Sequence, residues 1–181
     1  PVLGKHSKRI SCGMWSRGNK LVLGSDDKNM TISNERGELL MHSELKQQPT
    51  QTLFTTHSGS KGAVANEDNM VSVNLSGRSI MLINIMDEYE DPYELTFAAK
   101  ETGSGCRYGD IVQHQWIDDS NLLVGFSAGH LQVVSTSPKE MGMEKNAGKF
   151  HSKSMVSFAY NSHMKRVATC GEDGVRIVDL T

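Results

Sequence analysis

One pattern occurs three times along this chain, and it constrains the fold more than any other feature. Lys5-His6-Ser7-Lys8-Arg9-Ile10-Ser11-Cys12-Gly13-Met14-Trp15 leads to Lys20-Leu21-Val22-Leu23-Gly24-Ser25-Asp26-Asp27-Lys28-Asn29-Met30-Thr31-Ile32-Ser33. Gly109 to Trp116 leads in the same way to Asn121 to Ser135, and Phe150 to Tyr160 leads to Arg166 to Asp179. Each copy reads as strand, short turn, strand ending in a small residue plus Gly, tight turn, strand. Trp116 and Tyr160 stand one repeat apart, within the ~40–45 residues of a propeller blade. A unit of that size buries its faces only against copies of itself, so the pattern implies an all-β chain, a WD-type β-propeller of antiparallel four-stranded sheets. Propellers mostly bind, and only a minority catalyse.

Composition narrows the function classes. With 37% apolar and 22% charged residues, the chain suits a globular β protein rather than a disordered one. A net charge of −2 gives no electrostatic footprint for nucleic acid or an anionic membrane. No apolar run approaches the roughly 20 residues of a bilayer span, so no direct membrane insertion is expected. The sequence begins at Pro1, without a recognisable signal segment, and a processed or excised end is expected. Three widely spaced cysteines, Cys12, Cys106 and Cys170, read as reduced thiols of a cytosolic compartment, Cys12 and Cys170 as small buried strand residues. No CxxC or His/Cys cluster is present to bind zinc, and neither a metal nor a cofactor is expected.

Strand by strand, the first blade is expected over 5–45. Ile10, Cys12 and Met14 alternate with Ser11, Gly13 and Trp15, and Leu21-Val22-Leu23 reads as a strand covered on both faces. The second blade is expected over 50–99. It includes Gln51 to Thr55, a Ser/Gly loop at His57 to Ala63, a hairpin through Ser76-Gly77-Arg78, an acidic loop from Asp87 and an outer strand Tyr93 to Ala98. A flexible loop is expected over 100–107, a third blade over 109–150 and a fourth over 151–181, ending after its third strand. Three blades and most of a fourth do not close a ring, so the chain reads as a partial propeller, a piece of a larger protein. The alternative is a four-bladed ring completed by Pro1 to Gly4 as the missing outer strand.

In WD-type repeats a His before the first strand, a Ser or Thr in the second, and an Asp in the following turn form a buried network that fixes blade geometry. His6 with Asp27, and His151 with Asp173, hold the matching places, and they are expected to be structural. Of the closing dipeptide only Val178-Asp179 survives. A His/Asp general base would also need a nucleophile, and the sequence places none; no catalytic residue is expected. Trp15, Trp116 and Tyr160 stand at equivalent positions and read as core or rim packing, with a peptide-binding hot spot as the sharper alternative. The acidic stretch Asp87 to Glu94 reads as solvated, or as the receiver of a basic partner. Gly103-Ser104-Gly105 lacks the Lys-Ser/Thr of a phosphate loop. Strand methionines Met14, Met30, Met70, Met81 and Met155 read as core filling.

The opening Pro1 to Trp15, with Val124-Gly125-Phe126-Ser127-Ala128-Gly129-His130 and Lys165-Arg166-Val167-Ala168-Thr169-Cys170-Gly171, resembles the large WD-repeat subunit of intraflagellar transport complex A. That family has N-terminal propellers and a long helical-repeat tail, and the resemblance covers part of its first propeller. Lys100 to Arg107 departs from the family pattern and reads as an insertion. The resemblance implies a non-enzymatic scaffold of retrograde ciliary transport and cilium assembly. It implies complex A subunits as partners, ciliary membrane-receptor cargo, and a location in cytoplasm, cilium and basal body, associated with the cytoskeleton. Rival expectations are a vesicle-coat or ubiquitin-ligase substrate-recruiting propeller, and a propeller hydrolase using Asp, Glu or His around a central channel.

Overall fold

Alternating apolar and polar residues, punctuated by residues that tolerate tight turns, produce fifteen strands in the computed structural model. It describes residues 5–56, 67–87, 90–97 and 106–180. The strands are β1 (Ile10–Trp15), β2 (Leu21–Ser25), β3 (Asn29–Ser33), β4 (Leu39–Glu44), β5 (Pro49–Thr55), β6 (Met70–Leu75), β7 (Ser79–Asn84), β8 (Tyr93–Thr96), β9 (Ile111–Trp116), β10 (Asn121–Phe126), β11 (His130–Ser135), β12 (Glu144–Lys149), β13 (Met155–Asn161), β14 (Arg166–Gly171) and β15 (Gly174–Asp179). They form three four-stranded sheets, β1-β2-β3-β4, β5-β6-β7-β8 and β9-β10-β11-β12, and the three-stranded sheet β13-β14-β15. Neighbouring strands within β1–β4, β5–β7, β9–β12 and β13–β15 pair antiparallel. The chain is thus all-β, and no helix occurs among the described residues. The Ser/Gly loop expected at His57 to Ala63, Pro1 to Gly4, and most of the loop expected over 100–107 lie outside the described residues.

One device recurs in all four sheets. The first strand slips register against the second immediately after its opening residue: between Ile10 and Cys12, Pro49 and Gln51, Ile111 and Gln113, and Met155 and Ser157. A bulge at the same place in every copy bends each first strand alike and re-aims the loop before it. It also supplies a common ruler, because Ile10, Ile111 and Met155 become equivalent and pair with Ser25, Phe126 and Gly171. By that ruler Gly24 and Gly125 correspond, but their counterpart in the fourth sheet is Cys170. Gly171 stands one residue later, opposite Met155.

The chain divides into two compact units, Pro1–Leu95 and Thr96–Thr181. In the first, Val22, Met30 and Ile32 of the first sheet pack with Leu45, Phe54, Val71, Val73, Leu75, Met81 and Ile83. In the second, Leu123, Leu131 and Val133 pack with Met155, Phe158 and Val167. The period of two puts each set on one face of its sheet. A Cβ on Gly125 would fall 2.7 Å from the Phe158 ring and 2.8 Å from the Met155 methyl; one on Gly24 would fall 2.7 Å from Pro49. Glycine at this repeated position lets the first strand of the neighbouring sheet come close.

Several expectations of burial are corrected. Only Val22 of Leu21-Val22-Leu23 is fully buried, whereas all six residues of β6 and of β7 are. Leu21 and Leu23 point to the opposite face of the first sheet, the face that also carries exposed Trp15 and Leu39. Trp15 is therefore 54% exposed, while its equivalents Trp116 and Tyr160 are half-buried. Met14 and Cys170 are exposed and Cys12 half-buried, so these three are not closed core residues. Met30, Met70, Met81 and Met155 are buried.

Candidate functional site

Two copies of His-Ser-Lys, His6-Ser7-Lys8 and His151-Ser152-Lys153, each stand four residues ahead of a bulge. The loop they form turns back over the turn between the second and third strands of its own sheet, where an Asp waits. In the fourth sheet, His151 Nδ1 lies 2.5 Å from Asp173 Oδ1, and the Ser152 N–H and hydroxyl donate to Asp173 Oδ2 at 2.9 and 3.0 Å. In the first sheet, His6 Nδ1 lies 3.4 Å from Asp27 Oδ1, and the Ser7 N–H donates to Asp27 Oδ2 at 2.7 Å. The Asn29 N–H adds a third bond to Asp27 at 3.0 Å.

These bonds set the charge of the two acids. For Asp27, burial pushes the carboxyl up, but the N–H groups of Ser7 and Asn29, with Ser25 and His6, outweigh it and hold Asp27 well below the usual carboxylate range. For Asp173, the Ser152 N–H leads, followed by His151, and together they overcome burial in the same direction. Both are carboxylates at neutral pH and can only accept, so each facing His Nδ1 carries a hydrogen.

The second ring nitrogen of each His meets a threonine hydroxyl. His151 Nε2 is 2.8 Å from Thr169 Oγ1, and His6 Nε2 is 2.9 Å from Thr31 Oγ1. Thr169 belongs to the second strand of its sheet, as expected for this network, but Thr31 belongs to the third strand of its own. Leu23 stands at the place of Thr169, and Thr31 is its direct cross-strand partner. Hydroxyl, imidazole and carboxylate in this order form the hydrogen-bond pattern of a nucleophilic triad. The sequence alone placed no nucleophile; the fold supplies two hydroxyls. Both are closed to a substrate, since Thr169 is 0% and Thr31 2% exposed.

The other two sheets have neither member of the pair. In the second, Leu45 and Gly77 occupy the His and Asp positions, and Leu45 is buried in the core. In the third they are Arg107 and Ala128. The pairing is kept whole or removed whole, as the cost of a half-satisfied buried polar group demands. In the third sheet the space is aromatic: Tyr108 lies 5.4 Å from Phe126 and 4.8 Å from His130, and Phe97 lies edge-on to Phe126 at 5.1 Å. This cluster carried no signal of its own; the missing His-Ser-Lys before Ile111 was its only trace in the sequence. Val178 lies in β15 and Asp179 pairs with Arg166 at 2.6 Å, so the surviving dipeptide forms a surface ion pair. Glu94, from the acidic stretch, receives Lys46 at 2.7 Å and the Ser79 hydroxyl at 2.7 Å; Lys46 first, then Ser79, keep its carboxyl below the usual range. No group of His, Cys, Asp and Glu suited to a metal occurs among the described residues. No described helix is long and apolar enough to cross a membrane.

Known proteins share this architecture. The β-propeller domain of Myceliophteria_thermophila Cps50 (Swd1) superposes with a TM-score of 0.75 at 16% identity, over 99% of this chain and 54% of that one. The computationally designed Ika4 protein superposes with a TM-score of 0.70 at 16% identity, over 99% and 96%. These likenesses establish a β-propeller fold, and against the Swd1 domain a partial one. In sequence, the human WD repeat-containing protein 19 is 34% identical over 180 residues, its mouse counterpart 32% over 181, and the Caenorhabditis elegans WD repeat-containing protein dyf-2 24% over 179. The chain spans 12–13% of the length of these relatives. The family described as WDR19 first β-propeller matches residues 1–181, and the chain belongs to that family.

Proposed function

We propose that this chain is part of a non-enzymatic scaffold of intraflagellar transport complex A, acting in retrograde ciliary transport, cilium assembly and the entry of membrane receptors into cilia. Its sheets serve as propeller blades over 5–45, 50–99, 109–150 and 151–181, and their loops present fixed surfaces to protein partners. His6, Asp27, His151 and Asp173 have a structural role: they tie each lead-in loop to the turn beside it. Membership of the WDR19 first β-propeller family carries this reading. The closed threonine hydroxyls support a scaffold over a propeller hydrolase, because a nucleophile must reach its substrate.

Affinity capture of the tagged full-length protein from ciliated-cell lysate, with partners identified by mass spectrometry, tests the proposal. Recovery of other complex A subunits is expected. Recovery of vesicle-coat or ubiquitin-ligase subunits in their place would transfer the scaffold to that class.

A further inference from the structure

The lead-in loop of the third sheet keeps one backbone hydrogen bond of its counterparts, differs from them at Gly109, whose φ is +88°, and changes their chemistry. The Ser127 N–H donates to the Asp110 carbonyl at 2.8 Å, as Asp26 does to Arg9 and Glu172 to Ser154, each at 2.9 Å. At the equivalent positions Arg107 replaces the histidine, Tyr108 replaces the serine and Ala128 replaces the aspartate. The turn has thus lost its carboxylate and the loop has gained an arginine, with Asp110 three residues further on. The Arg107 guanidinium sits 5.6 Å from the centre of the Tyr108 ring, which packs in turn on His130. Lys149 is the cross-strand partner of His130. Burial first, and then Lys149, hold His130 below its ordinary range; Arg107 adds to this, against a bond to the Ala128 backbone. Arg107 and Lys149 are both exposed, and neither forms an ion pair among the described residues.

We propose that the rim formed by Arg107, Tyr108, His130 and Lys149 is a docking site for an acidic segment of a partner protein, with carboxylates seated between Arg107 and Lys149. The proposal rests on the interaction-scaffold reading and gives one of its surfaces a chemistry. The Tyr108 ring attracts the guanidinium without accepting from its N–H groups, which stay available for the fork-like pairing with a carboxylate. A nucleic acid is the poorer fit, since the net charge is −2 and two exposed cations neutralise too few phosphates.

Fluorescence anisotropy of a labelled hexaglutamate peptide, titrated with purified full-length protein, tests the site. Replacing Arg107→Gln with Lys149→Gln is expected to weaken binding about tenfold, the loss of two charge-assisted contacts. Replacing Arg36→Gln with Lys139→Gln removes the same charge from exposed positions elsewhere and is expected to leave binding unchanged. A hexaglutamine peptide is expected not to bind. Absence of binding by the unaltered protein, or equal weakening by both pairs of substitutions, overturns the proposal. Capture of complex A subunits is read separately, so its persistence alongside a failed titration removes the docking site and leaves the scaffold.

Discussion

Thr169 and Thr31 meet equivalent histidines from different strands, and the difference shows what a repeat conserves at the residue scale. The hydroxyl has to reach Nε2; which strand carries it is free, because cross-strand neighbours present side chains side by side. The pairs His6–Asp27 and His151–Asp173 were legible in the sequence, since their spacing repeats. The strand supplying the threonine was not, since cross-strand neighbours are set by register. Replacing His151→Phe fills the buried space but leaves the Thr169 hydroxyl without its imidazole. A loss of about 1–3 kcal/mol is expected, read as roughly ten- to hundredfold faster amide exchange in β14 of the full-length protein. Asp27 gives a pH signature. Its carboxyl is depressed in the folded state, so the unfolded chain takes up the proton first as pH falls. The stabilisation is therefore complete above the ordinary value of about 4 and is lost progressively below it. The protection factor of the β3 amides, the measured rate set against the intrinsic rate at each pH, should fall between pH 6 and pH 3, and Asp27→Asn should flatten that fall.

At the scale of the element, two glutamines act as acceptors between strands that share no ladder. The Gln113 and Gln115 side-chain oxygens accept the Phe158 and Tyr160 N–H groups at 3.1 and 3.3 Å, joining the open edge of β13 to β9. In the first unit the Ser11 hydroxyl donates to the Pro49 carbonyl at 2.6 Å, one residue before the place of Gln113 and at the place of Met155. Gln115 and Gln113 pair with Leu123 and Gly125, on the face that carries the apolar core, and only the approach of the fourth sheet gives these polar side chains partners. Gln113→Leu should deprive the Phe158 N–H of its acceptor at a cost of about 1 kcal/mol, measured as faster exchange of that amide alone. Gly125→Val should cost more, about 1–3 kcal/mol, by driving a side chain into Phe158 and Met155. The expected signature is faster exchange throughout β10 and β13.

The scale of the whole molecule brings in the apolar surface of the fourth sheet. On the fourth sheet, Val175 and Ile177 of β15 lie beside Cys170 and Ala168 of β14, and Ile177 is 65% exposed. An open hollow of about 420 Å³ there is lined by Tyr160, Met164, Arg166, Ala168 and Ile177. Contiguous apolar surface beside a strand edge drives association. An excised 181-residue chain is therefore expected to self-associate with rising concentration. Sedimentation should show that association weakened by Val175→Thr combined with Ile177→Thr.

Sequence periodicity by itself determined the β class, the four-sheet repeat and the two His–Asp pairings, because each depends on spacing along one chain. Tertiary structure decided the rest. Whether Leu21, Leu23, Trp15 or Cys170 is covered depends on which sheet face has a neighbour, and alternation names a face without naming what lies against it. The position equivalent to Gly24 and Gly125 depends on a bulge, a one-residue slip that composition does not mark. The replacement of His, Ser and Asp by Arg107, Tyr108 and Ala128 became visible only once that bulge aligned the sheets, since the equivalence is set by hydrogen-bond register and not by residue type.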